Sequence, residues 1–270
     1  MAIVTISRGS GSGGLLLAER LAEELGYEIV SREDIIREAA AFGAPEERLQ
    51  EALLNPPGFW DRFKHERRRY LAFVQAALCA HAQRDRIIYH GNAGHLLLHG
   101  ISHVLCIRII APTPFRVRML TEQQKMGHAE ALDYIEKADH QREQWTRFLY
   151  GVDWLDPSLY DLTVNLRSLD VAGAAAVAAA AARNPKLEAT EASRKAMADL
   201  VLASRVRAVL AANAETASAE VEVNARDGVV YLKGRLRLAS MVDPAVDLAA
   251  GVEGVRRVDR EQLDAPDYTV

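Results

Sequence analysis

The fold is decided by residues 3–17, which read Ile-Val-Thr-Ile-Ser-Arg-Gly-Ser-Gly-Ser-Gly-Gly-Leu-Leu-Leu. The β-branched run Ile3–Ile6 is typical of a buried strand, and the apolar residues from Leu15 to Leu25 recur with helical spacing until Gly26. The sequence therefore predicts a strand, a glycine-rich turn and a helix that follow one another directly. Successive amides in such a turn, together with the N-terminus of the following helix, can hold phosphate.

The glycine-rich turn carries an incomplete phosphate-binding motif. The Walker pattern GxxxxGK[ST] places a Lys on the phosphates and a hydroxyl on Mg²⁺. When Gly13 is aligned with its last glycine, Gly14 stands in place of the Lys and Leu15 in place of the Ser or Thr. A flexible Gly/Ser turn is the alternative interpretation, but the position between two strong elements favours phosphate binding. The predicted nucleotide-binding residues are Arg8, Gly9, Ser10, Gly11, Ser12, Gly13 and Gly14.

Composition and charge limit the class of protein. At 270 residues the chain is long enough for about two domains, and 49% hydrophobic with 26% charged residues is ordinary for a soluble globular protein. The net charge of −4 argues against broad nucleic-acid binding. Only Cys79 and Cys106 are present, so we expect no disulfide framework and a cytoplasmic location. No leader is expected at the start, and the alanine-rich run Val171–Ala182 is too short to span a bilayer.

Five apolar segments predict the strands of one sheet. They are Ile3–Ile6, Tyr27–Val30, Arg86–Gly91, Val104–Ile110 and Tyr160–Asn165. Because helical patterns separate them, they predict an α/β fold in which a parallel sheet lies between two layers of helices. Ligands of such sheets bind at the carboxyl ends of the strands, where the glycine turn, Arg32, Gly91 and Asn92 are expected. For Arg32, contact with a substrate and simple exposure at a helix start remain equal alternatives.

Arginines after the fourth strand are candidates for catalysis. Arg116 lies in the segment Pro114–Leu120, and a predicted helix carries Asp139 and Arg142. Arginines placed opposite a phosphate-binding turn can neutralise the charge that spreads over a transferring phosphoryl group. We expect Arg142 to be the principal such residue, whereas the alternative is a surface ion pair with Asp139.

Four histidines between the third and fourth strands raise the question of a metal site. They are His90, His95, His99 and His103. No cysteine joins them, and the nearest carboxylate is Asp85, so structural histidines are favoured and the metal ligands stay unassigned.

The ordered set of these motifs resembles the cytidylate kinase-like family of P-loop proteins. The resemblance covers residues 1–183, and each piece alone is weak. The segments that carry it are Ile6-Ser7-Arg8 with Gly11–Gly14, Leu25-Gly26-Tyr27, Arg32-Glu33, Ala111-Pro112 with Arg116, Asp139 with Arg142, Asp153-Trp154, and Tyr160-Asp161-Leu162 with Asn165.

This resemblance implies a nucleoside monophosphate kinase core. It implies ATP and Mg²⁺ at the glycine turn and a lid that carries Arg116 and Arg142, with Asp139 beside them. It also implies an acceptor nucleotide near Arg32, Gly91 and Asn92.

Three departures from the family pattern bear on activity. Family members commonly have a basic residue where Leu15 stands, an acidic residue where Ser31 stands, and an arginine where Asn92 stands. Each change removes a charge from a nucleotide site, and a charged hydrogen bond contributes about 1.5 to 3 kcal/mol. A nucleotide-binding protein with weak or no kinase activity is therefore the rival interpretation.

The C-terminal part of the sequence predicts a second, smaller domain. Residues 184–193 read as a linker, residues 194–263 as a helix, two strands, a helix and a strand (αββαβ), and residues 264–270 as a tail. Asp227-Gly228 is a hairpin signal between the first two strands. The segment resembles a BON domain through Val221 and Val223, Asp227-Gly228 and Val230, Leu232 and Gly234, and Gly254-Val255 and Val258. This resemblance implies a phospholipid or protein partner, whereas a plain α/β appendage is the alternative.

Two functional hypotheses follow. The first is a phosphotransferase that passes the γ-phosphate of ATP to a CMP-like nucleoside monophosphate. The second is a nucleotide sensor without chemistry, whose BON-like domain reports occupancy to a partner or to phospholipid. The missing Lys favours the sensor, and the retained Asp139 and Arg142 favour the kinase.

Overall fold

A computed structural model describes residues 2–54, 64–91 and 93–265. These residues form two compact units. Within the described residues, the first contains 2–34, 53–54, 84–91 and 93–190, and the second contains 35–52, 64–83 and 191–265. Two segments that the sequence places in the first domain, 35–52 and 64–83, therefore pack with the C-terminal part of the chain.

A parallel sheet of five strands forms the centre of the first unit. The strands are β1 (Ile3–Arg8), β2 (Glu28–Ser31), β3 (Ile87–His90), β4 (Val104–Ile110) and β5 (Leu162–Asn165), in the order β2-β3-β1-β4-β5. Val4 pairs with Ile88 on one side and with Leu105 on the other, so β1 is the central strand. The carboxyl ends of all five strands share one edge of the sheet. The predicted α/β sheet is confirmed.

Eight helices occur between these strands and after them, within the described residues. They are α1 (Gly14–Leu25), α2 (Arg32–Ala40), α3 (Glu46–Leu54), α4 (Lys64–Ala82), α5 (Gly94–Leu97), α6 (Thr113–Gln124), α7 (His128–Tyr150) and α8 (Val171–Ala182). Serine is a favoured residue before the first turn of a helix, and the Ser31 hydroxyl accepts a hydrogen bond of 3.1 Å from the amide of Asp34 at the start of α2. The sequence Asn55-Pro56-Pro57-Gly58 predicts a break after α3, and it lies outside the described residues.

Helices α1 and α8 pack against each other and cover part of the sheet. Leu17 and Leu21 of α1 are fully buried in one cluster with Ala174 and Ala178 of α8. Alanines at the contact let the two helices approach closely, because they carry no side chain beyond Cβ. Helices α6 and α7 form a hairpin of their own, closed by Val117, Leu120, Ala131 and Ile135.

The C-terminal segment of the second unit has the predicted αββαβ order. Its elements are α9 (Glu191–Ala212), β6 (Glu220–Arg226), β7 (Val229–Arg235), α10 (Val242–Ala250) and β8 (Arg257–Asp264). Strands β6 and β7 are antiparallel and β8 runs parallel to β7, so the small sheet is mixed. Asp227 and Gly228 turn the hairpin with φ of 53° and 78°, as the sequence signal predicts.

Helix α4 packs along α9 within this second unit. The Arg207 guanidinium of α9 donates to the Gln75 amide oxygen of α4 and to the Val223 carbonyl of β6. Phe73 of α4 is fully buried and stacks on Phe42, with ring centroids 5.3 Å apart. The small C-terminal fold therefore has a third layer that comes from the first half of the chain.

The polar stretch before α9 is partly ordered as helix. A 3-10 turn covers Pro185–Leu187, and α9 begins at Glu191 rather than at Arg194, where the apolar pattern starts. The difference arises because polar residues extend the helix beyond its apolar face. No helix in the described part of the chain combines the length and the hydropathy needed to cross a bilayer.

Candidate functional site

The glycine-rich turn joins the end of β1 to the start of α1. Gly11 and Gly13 have φ of 71° and 80°, in the left-handed region that favours glycine. A Cβ at Gly11 would come within 2.6 Å of the Arg116 carbonyl oxygen, so a side chain there has no room. Gly13 is also the N-cap residue of α1. The structure therefore has the tight strand, turn and helix that the sequence predicts.

Several amides of this turn point away from protein acceptors. The Ser12 amide and hydroxyl both donate to the Gly9 carbonyl, at 3.2 and 2.7 Å, and close the turn on itself. The amides of Gly11, Gly13 and Gly14 donate to no group within the described residues. Unpaired amides at a helix N-terminus are a ready site for an anion.

One amide of the turn is bound by a carboxylate. The Ser10 amide donates to Asp139 Oδ1 at 3.1 Å, although Asp139 is distant in sequence on α7. The guanidiniums of Arg116 and Arg142 hold the same carboxylate, at 2.5 and 2.8 Å. Arg116 also donates from Nε to the Ser10 carbonyl, at 2.7 Å. A loop amide and two arginines thus converge on a single oxyanion.

Arg142 is buried in this cluster. Its side chain is only 13% exposed, and the guanidinium lies 5.2 Å from the centre of the Trp154 ring. Burial lowers the pKa of Arg142 to about 10, and the nearby Asp139 carboxylate opposes that shift. Arg142 does pair with Asp139, as the alternative interpretation states, but the pair is largely buried rather than on the surface.

A second cluster supports Trp154, for which the sequence suggests no role. Its indole Nε1 donates to Ser7 Oγ at 2.8 Å, and the Tyr160 hydroxyl donates to the Trp154 carbonyl at 3.0 Å. The Arg108 guanidinium lies 5.0 Å from the centre of the Trp154 ring, so two guanidiniums neighbour this one indole. The only signal in the sequence is the motif Asp153-Trp154 in the family pattern. Ser7 of β1 therefore holds the Trp154 ring in place, and the ring in turn orients the Arg142 guanidinium.

Arg8 lies across the turn at Gly14. A Cβ on Gly14 would overlap Arg8 Cδ, so the aliphatic part of the Arg8 side chain passes directly over that glycine. Arg8 Nε is buried and has no hydrogen-bond partner in the described part of the chain. Burial lowers the pKa of Arg8, Arg32 lowers it further by repulsion, and the Glu33 carboxylate opposes both.

Of the residues predicted to bind the acceptor, Arg32 lies near Arg8. Arg32 pairs with Glu33 at 2.9 Å, and the charges of both residues act on His90 at the end of β3. Gly91 lies over the Tyr89 ring, because a Cβ there would overlap the Tyr89 hydroxyl. Tyr89 itself is fully buried, and burial raises its pKa. Asn92, the remaining predicted acceptor residue, lies outside the described residues.

Comparison with known proteins identifies the family. The model of the cytidylate kinase-like family matches residues 3–168, which are more than half of the chain. The chain belongs to the cytidylate kinase-like family.

The family assignment agrees with individual relatives. A cytidylate kinase from Ignicoccus hospitalis is 27% identical over 168 residues, which cover 61% of this chain and 90% of that protein. A cytidylate kinase from Haloarcula marismortui is 29% identical over 178 residues, which cover 65% of this chain and 86% of that protein. An uncharacterized protein of known structure from Eubacterium ventriosum shares the fold with a TM-score of 0.54 at 18% identity, covering 67% of this chain and 97% of that one.

The C-terminal segment matches a different model. The BON domain model covers residues 198–264, in agreement with the resemblance seen in the sequence. This cytidylate kinase-like protein therefore carries a BON domain after its kinase-like segment.

Two of the four histidines that raised the question of a metal site contact other side chains. No group of three or more His, Cys, Asp or Glu side chains gathers within the described residues. His103 instead pairs with Asp85 at 3.1 Å, and His95 contacts the Tyr160 ring. The free amides of the turn fit phosphate oxygens. Mg²⁺ commonly takes its ligands from substrate phosphates and water, so its binding does not require a cluster of protein ligands.

Proposed function

We propose that this protein transfers the γ-phosphate of ATP to a nucleoside monophosphate, with CMP or a close analogue as the acceptor. In the reaction, an acceptor phosphate oxygen bonds to the γ-phosphorus, the bond from that phosphorus to the β-phosphate oxygen breaks, and ADP leaves. Charge spreads over the transferring oxygens, so the protein must mainly position and neutralise. A cytoplasmic location, expected from the cysteine content, is part of this proposal.

The observation that carries the proposal is the oxyanion site around Asp139. The Ser10 amide, Arg116 and Arg142 already coordinate a carboxylate with the donors that would coordinate a phosphate. The free amides of Gly11, Gly13 and Gly14 adjoin that site and provide further donors for phosphate oxygens. ATP would supply the phosphoryl group and Mg²⁺ would neutralise its oxygens.

The arginines of the site have different roles in this proposal. The Arg142 guanidinium lies close to the Trp154 ring, which fixes the direction of its N–H donors. Arg142 is therefore the residue proposed to neutralise the transferring phosphoryl group. Arg116 donates to the Ser10 carbonyl and pairs with Asp139, so it stabilises the conformation of the turn and adds a positive charge next to it. Arg32 lies near Arg8 and is proposed to contact the acceptor phosphate.

A coupled assay tests the proposal. The full chain is given ATP, Mg²⁺ and one of CMP, dCMP, UMP, AMP or GMP, and ADP formation is followed. We expect turnover with CMP to exceed that with the purine monophosphates. Arg142→Met should lower kcat by a factor on the order of 10³, because an arginine at the transferring phosphate contributes at least that much. Arg147→Met, on the same helix but 63% exposed, is the matched control and should leave kcat unchanged.

A second variant, Gly13→Asp, measures the background activity that a contaminating kinase would give. Gly13→Asp puts a side chain at φ of 80° and a carboxylate inside the turn, where a Cβ would already lie 3.1 Å from Leu166. Turnover by the unaltered chain that does not exceed turnover by this variant would overturn the proposal.

A specific observation favours the second candidate, a nucleotide sensor. Helix α4 of the kinase-like segment packs along α9 of the BON domain in one compact unit, so α4 could carry a signal between them. Calorimetry with ATP and CMP, combined with the same assay, separates the two functions. Nucleotide binding without turnover would support the sensor, and absence of binding at millimolar concentrations would overturn both.

A cleft in the second unit bears on what the BON domain binds in the sensor model. The cleft has a volume of about 870 Å³ and is lined by apolar Phe42, Val209, Leu248 and Val252. Its lining also includes Glu215, Asp247 and Glu253, with Arg205 as a cation. Excess acidic charge repels an anionic headgroup, so a protein partner is proposed in preference to phospholipid.

A further inference from the structure

We propose that the Arg8 side chain supplies the cation that the phosphate-binding turn lacks, by reaching over Gly14 to the β- and γ-phosphates of a bound nucleoside triphosphate. The inference rests on the proposed nucleotide binding and adds a named phosphate-binding residue to it.

The first support is an exchange of two residue types along the motif. In the Walker pattern GxxxxGK, the alignment that puts Gly13 on the last glycine places the first glycine at Arg8 and the Lys at Gly14. The chain thus carries its basic residue at one end of the motif and its glycine at the other. The charge of the motif is moved and not lost.

The second support is the path of the Arg8 side chain. A Cβ at Gly14 would lie 3.1 Å from both Cβ and Cγ of Arg8 and would overlap Cδ. The stem of Arg8 therefore occupies the space that the first carbon of a Lys at position 14 would need. Glycine at position 14 and arginine at position 8 depend on each other sterically, and only one of the two positions can carry the long cation.

The third support is the charge around Arg8. The nearby carboxylates are already paired, because Glu33 binds Arg32 and Asp139 binds Arg116 and Arg142. Arg8 Nε is buried and has no partner in the described part of the chain, and Arg32 and Arg142 are close enough to repel it. A buried cation whose nearby carboxylates are held by other arginines is costly to a folded protein. A polyanionic ligand is the group that would compensate for this excess of positive charge.

Arginine suits this position for a geometric reason. Its planar fork can donate to two phosphate oxygens at once, whereas Lys offers a point charge. From the end of β1, Arg8 neighbours the turn, the Tyr89 side chain and Arg32, which is one of the residues predicted to bind the acceptor. Arg8 is therefore placed to contact the phosphates on the side that faces the acceptor.

A charge-exchange experiment tests the inference. ATP binding to the full chain is measured by calorimetry for Arg8→Met, for the double variant Arg8→Gly with Gly14→Lys, and for its control Arg8→Gly with Gly14→Met. Arg8→Met keeps an unbranched stem and should weaken ATP binding about 10- to 100-fold, as expected for a charged hydrogen bond. The Lys double variant restores the ordinary motif and should bind ATP within about threefold of the unaltered chain. The Met double variant should stay weak.

Thermal unfolding without nucleotide separates this role from simple packing. If Arg8 binds phosphate, Arg8→Met should leave the melting temperature unchanged or raise it, because an uncompensated charge is removed, and the increase caused by ATP should shrink. Arg20→Met on α1, with its side chain 57% exposed, is the control and should change neither value.

The outcomes separate the two proposals. If the unaltered chain binds ATP and Arg8→Met binds it equally well, this inference fails and the proposed function stands. It also fails if the Met double variant is rescued as well as the Lys double variant, or if Arg8→Met lowers the melting temperature of the nucleotide-free protein. No ATP binding by the unaltered chain overturns the proposed function, and this inference with it.

Discussion

Asp139 links the glycine-rich turn to Arg116 and Arg142. Its two oxygens accept from the Ser10 amide, Arg116 and Arg142, and its side chain is 23% exposed. A phosphate that takes over the same donors must compete with this carboxylate. If the proposed nucleotide binds here, Asp139 would have opposite effects, because it would stabilise the nucleotide-free protein and oppose entry of the nucleotide phosphate.

We expect Asp139→Asn to show both effects. The amide oxygen can still accept a hydrogen bond, but two mostly buried guanidiniums lose their counterion. Stability without nucleotide should fall by about 2 to 3 kcal/mol, less than for a fully buried pair because the site keeps some contact with water. The rise in melting temperature on adding ATP should become larger. Urea unfolding and thermal unfolding, each with and without ATP, measure the two quantities.

Asp133→Asn on the same helix is the matched control. Asp133 pairs with Lys137 at 2.7 Å, but both side chains are more than 60% exposed. Such pairs contribute between about 0 and 1 kcal/mol, so neither quantity should change appreciably. An Asp139→Asn protein as stable as the unaltered one would contradict the proposed electrostatic role.

At the scale of elements, the short helix α5 connects stability to pH. His95 lies on this helix, is 6% exposed, and contacts the Tyr160 ring with centroids 4.8 Å apart. Burial lowers the pKa of His95 to about 4, because the charged imidazolium loses its hydration. Protonation of this imidazole therefore destabilises the folded protein.

The sign of the pH dependence follows from that shift. Between the unfolded pKa of about 6.5 and the folded pKa of about 4, the unfolded chain binds the proton and the folded chain does not. The stabilisation from the neutral imidazole is complete above pH of about 6.5 and is lost as the pH falls toward 4, by roughly 3 kcal/mol in total. Urea unfolding at several pH values should show a smaller loss for His95→Leu than for the unaltered chain.

His99→Gln provides the comparison for this series. His99 is exposed at the end of the same segment, so its removal should leave the pH dependence of unfolding unchanged. A His95→Leu protein with the same acid sensitivity as the unaltered chain would assign that sensitivity to other groups.

The elements could be predicted from the sequence better than the site could. Continuous apolar runs predict a parallel strand at Val104–Ile110 because such a strand is buried on both faces, and the structure places β4 at those residues. The path of Arg8 over Gly14 and the contact of Asp139 with Ser10 are different. They depend on side-chain direction and on contacts between distant segments, which no local pattern specifies. The support that Trp154 gives to Arg142 is of the same kind, because the two residues lie on different segments.

At the scale of the whole molecule, the two family segments share a structural layer. Helix α4 lies within residues 3–168, which match the kinase-like family, and most of α9 lies within residues 198–264, which match the BON domain. Cys79 of α4 is fully buried and lies beside the Ser204 side chain of α9. Burial raises the pKa of the Cys79 thiol to about 11. Helix α4 therefore depends on the BON segment for the cover of this face.

We expect a chain that ends at residue 190 to expose Cys79. In the full chain both thiols should react slowly with a disulfide reagent near pH 8, because the pKa of Cys106 is also raised to about 11 by burial. Truncation removes α9 and should make Cys79 react quickly, while Cys106 on β4 stays protected by the sheet. The time course of thiol labelling, followed by mass spectrometry, assigns the two sites.

Cys106 serves as the internal control of folding in that experiment. Rapid labelling of both cysteines would mean that the truncated chain has lost its sheet, and would show that the first unit depends on the C-terminal segment even more strongly. Slow labelling of both would contradict the dependence of α4 on α9. The variant Cys79→Ser, truncated at the same residue, confirms which thiol reacts.

The contact of Arg207 with Gln75 also has an evolutionary consequence. Modules joined end to end can be shuffled between genes, since each carries a complete surface. Here the kinase-like segment supplies α4 and the BON segment supplies α9, which packs on it. Recombination that replaces either segment would therefore leave Arg207 or Gln75 opposite an unrelated residue. The fusion is therefore expected to be inherited as a single block, with compensating changes arising on both helices together.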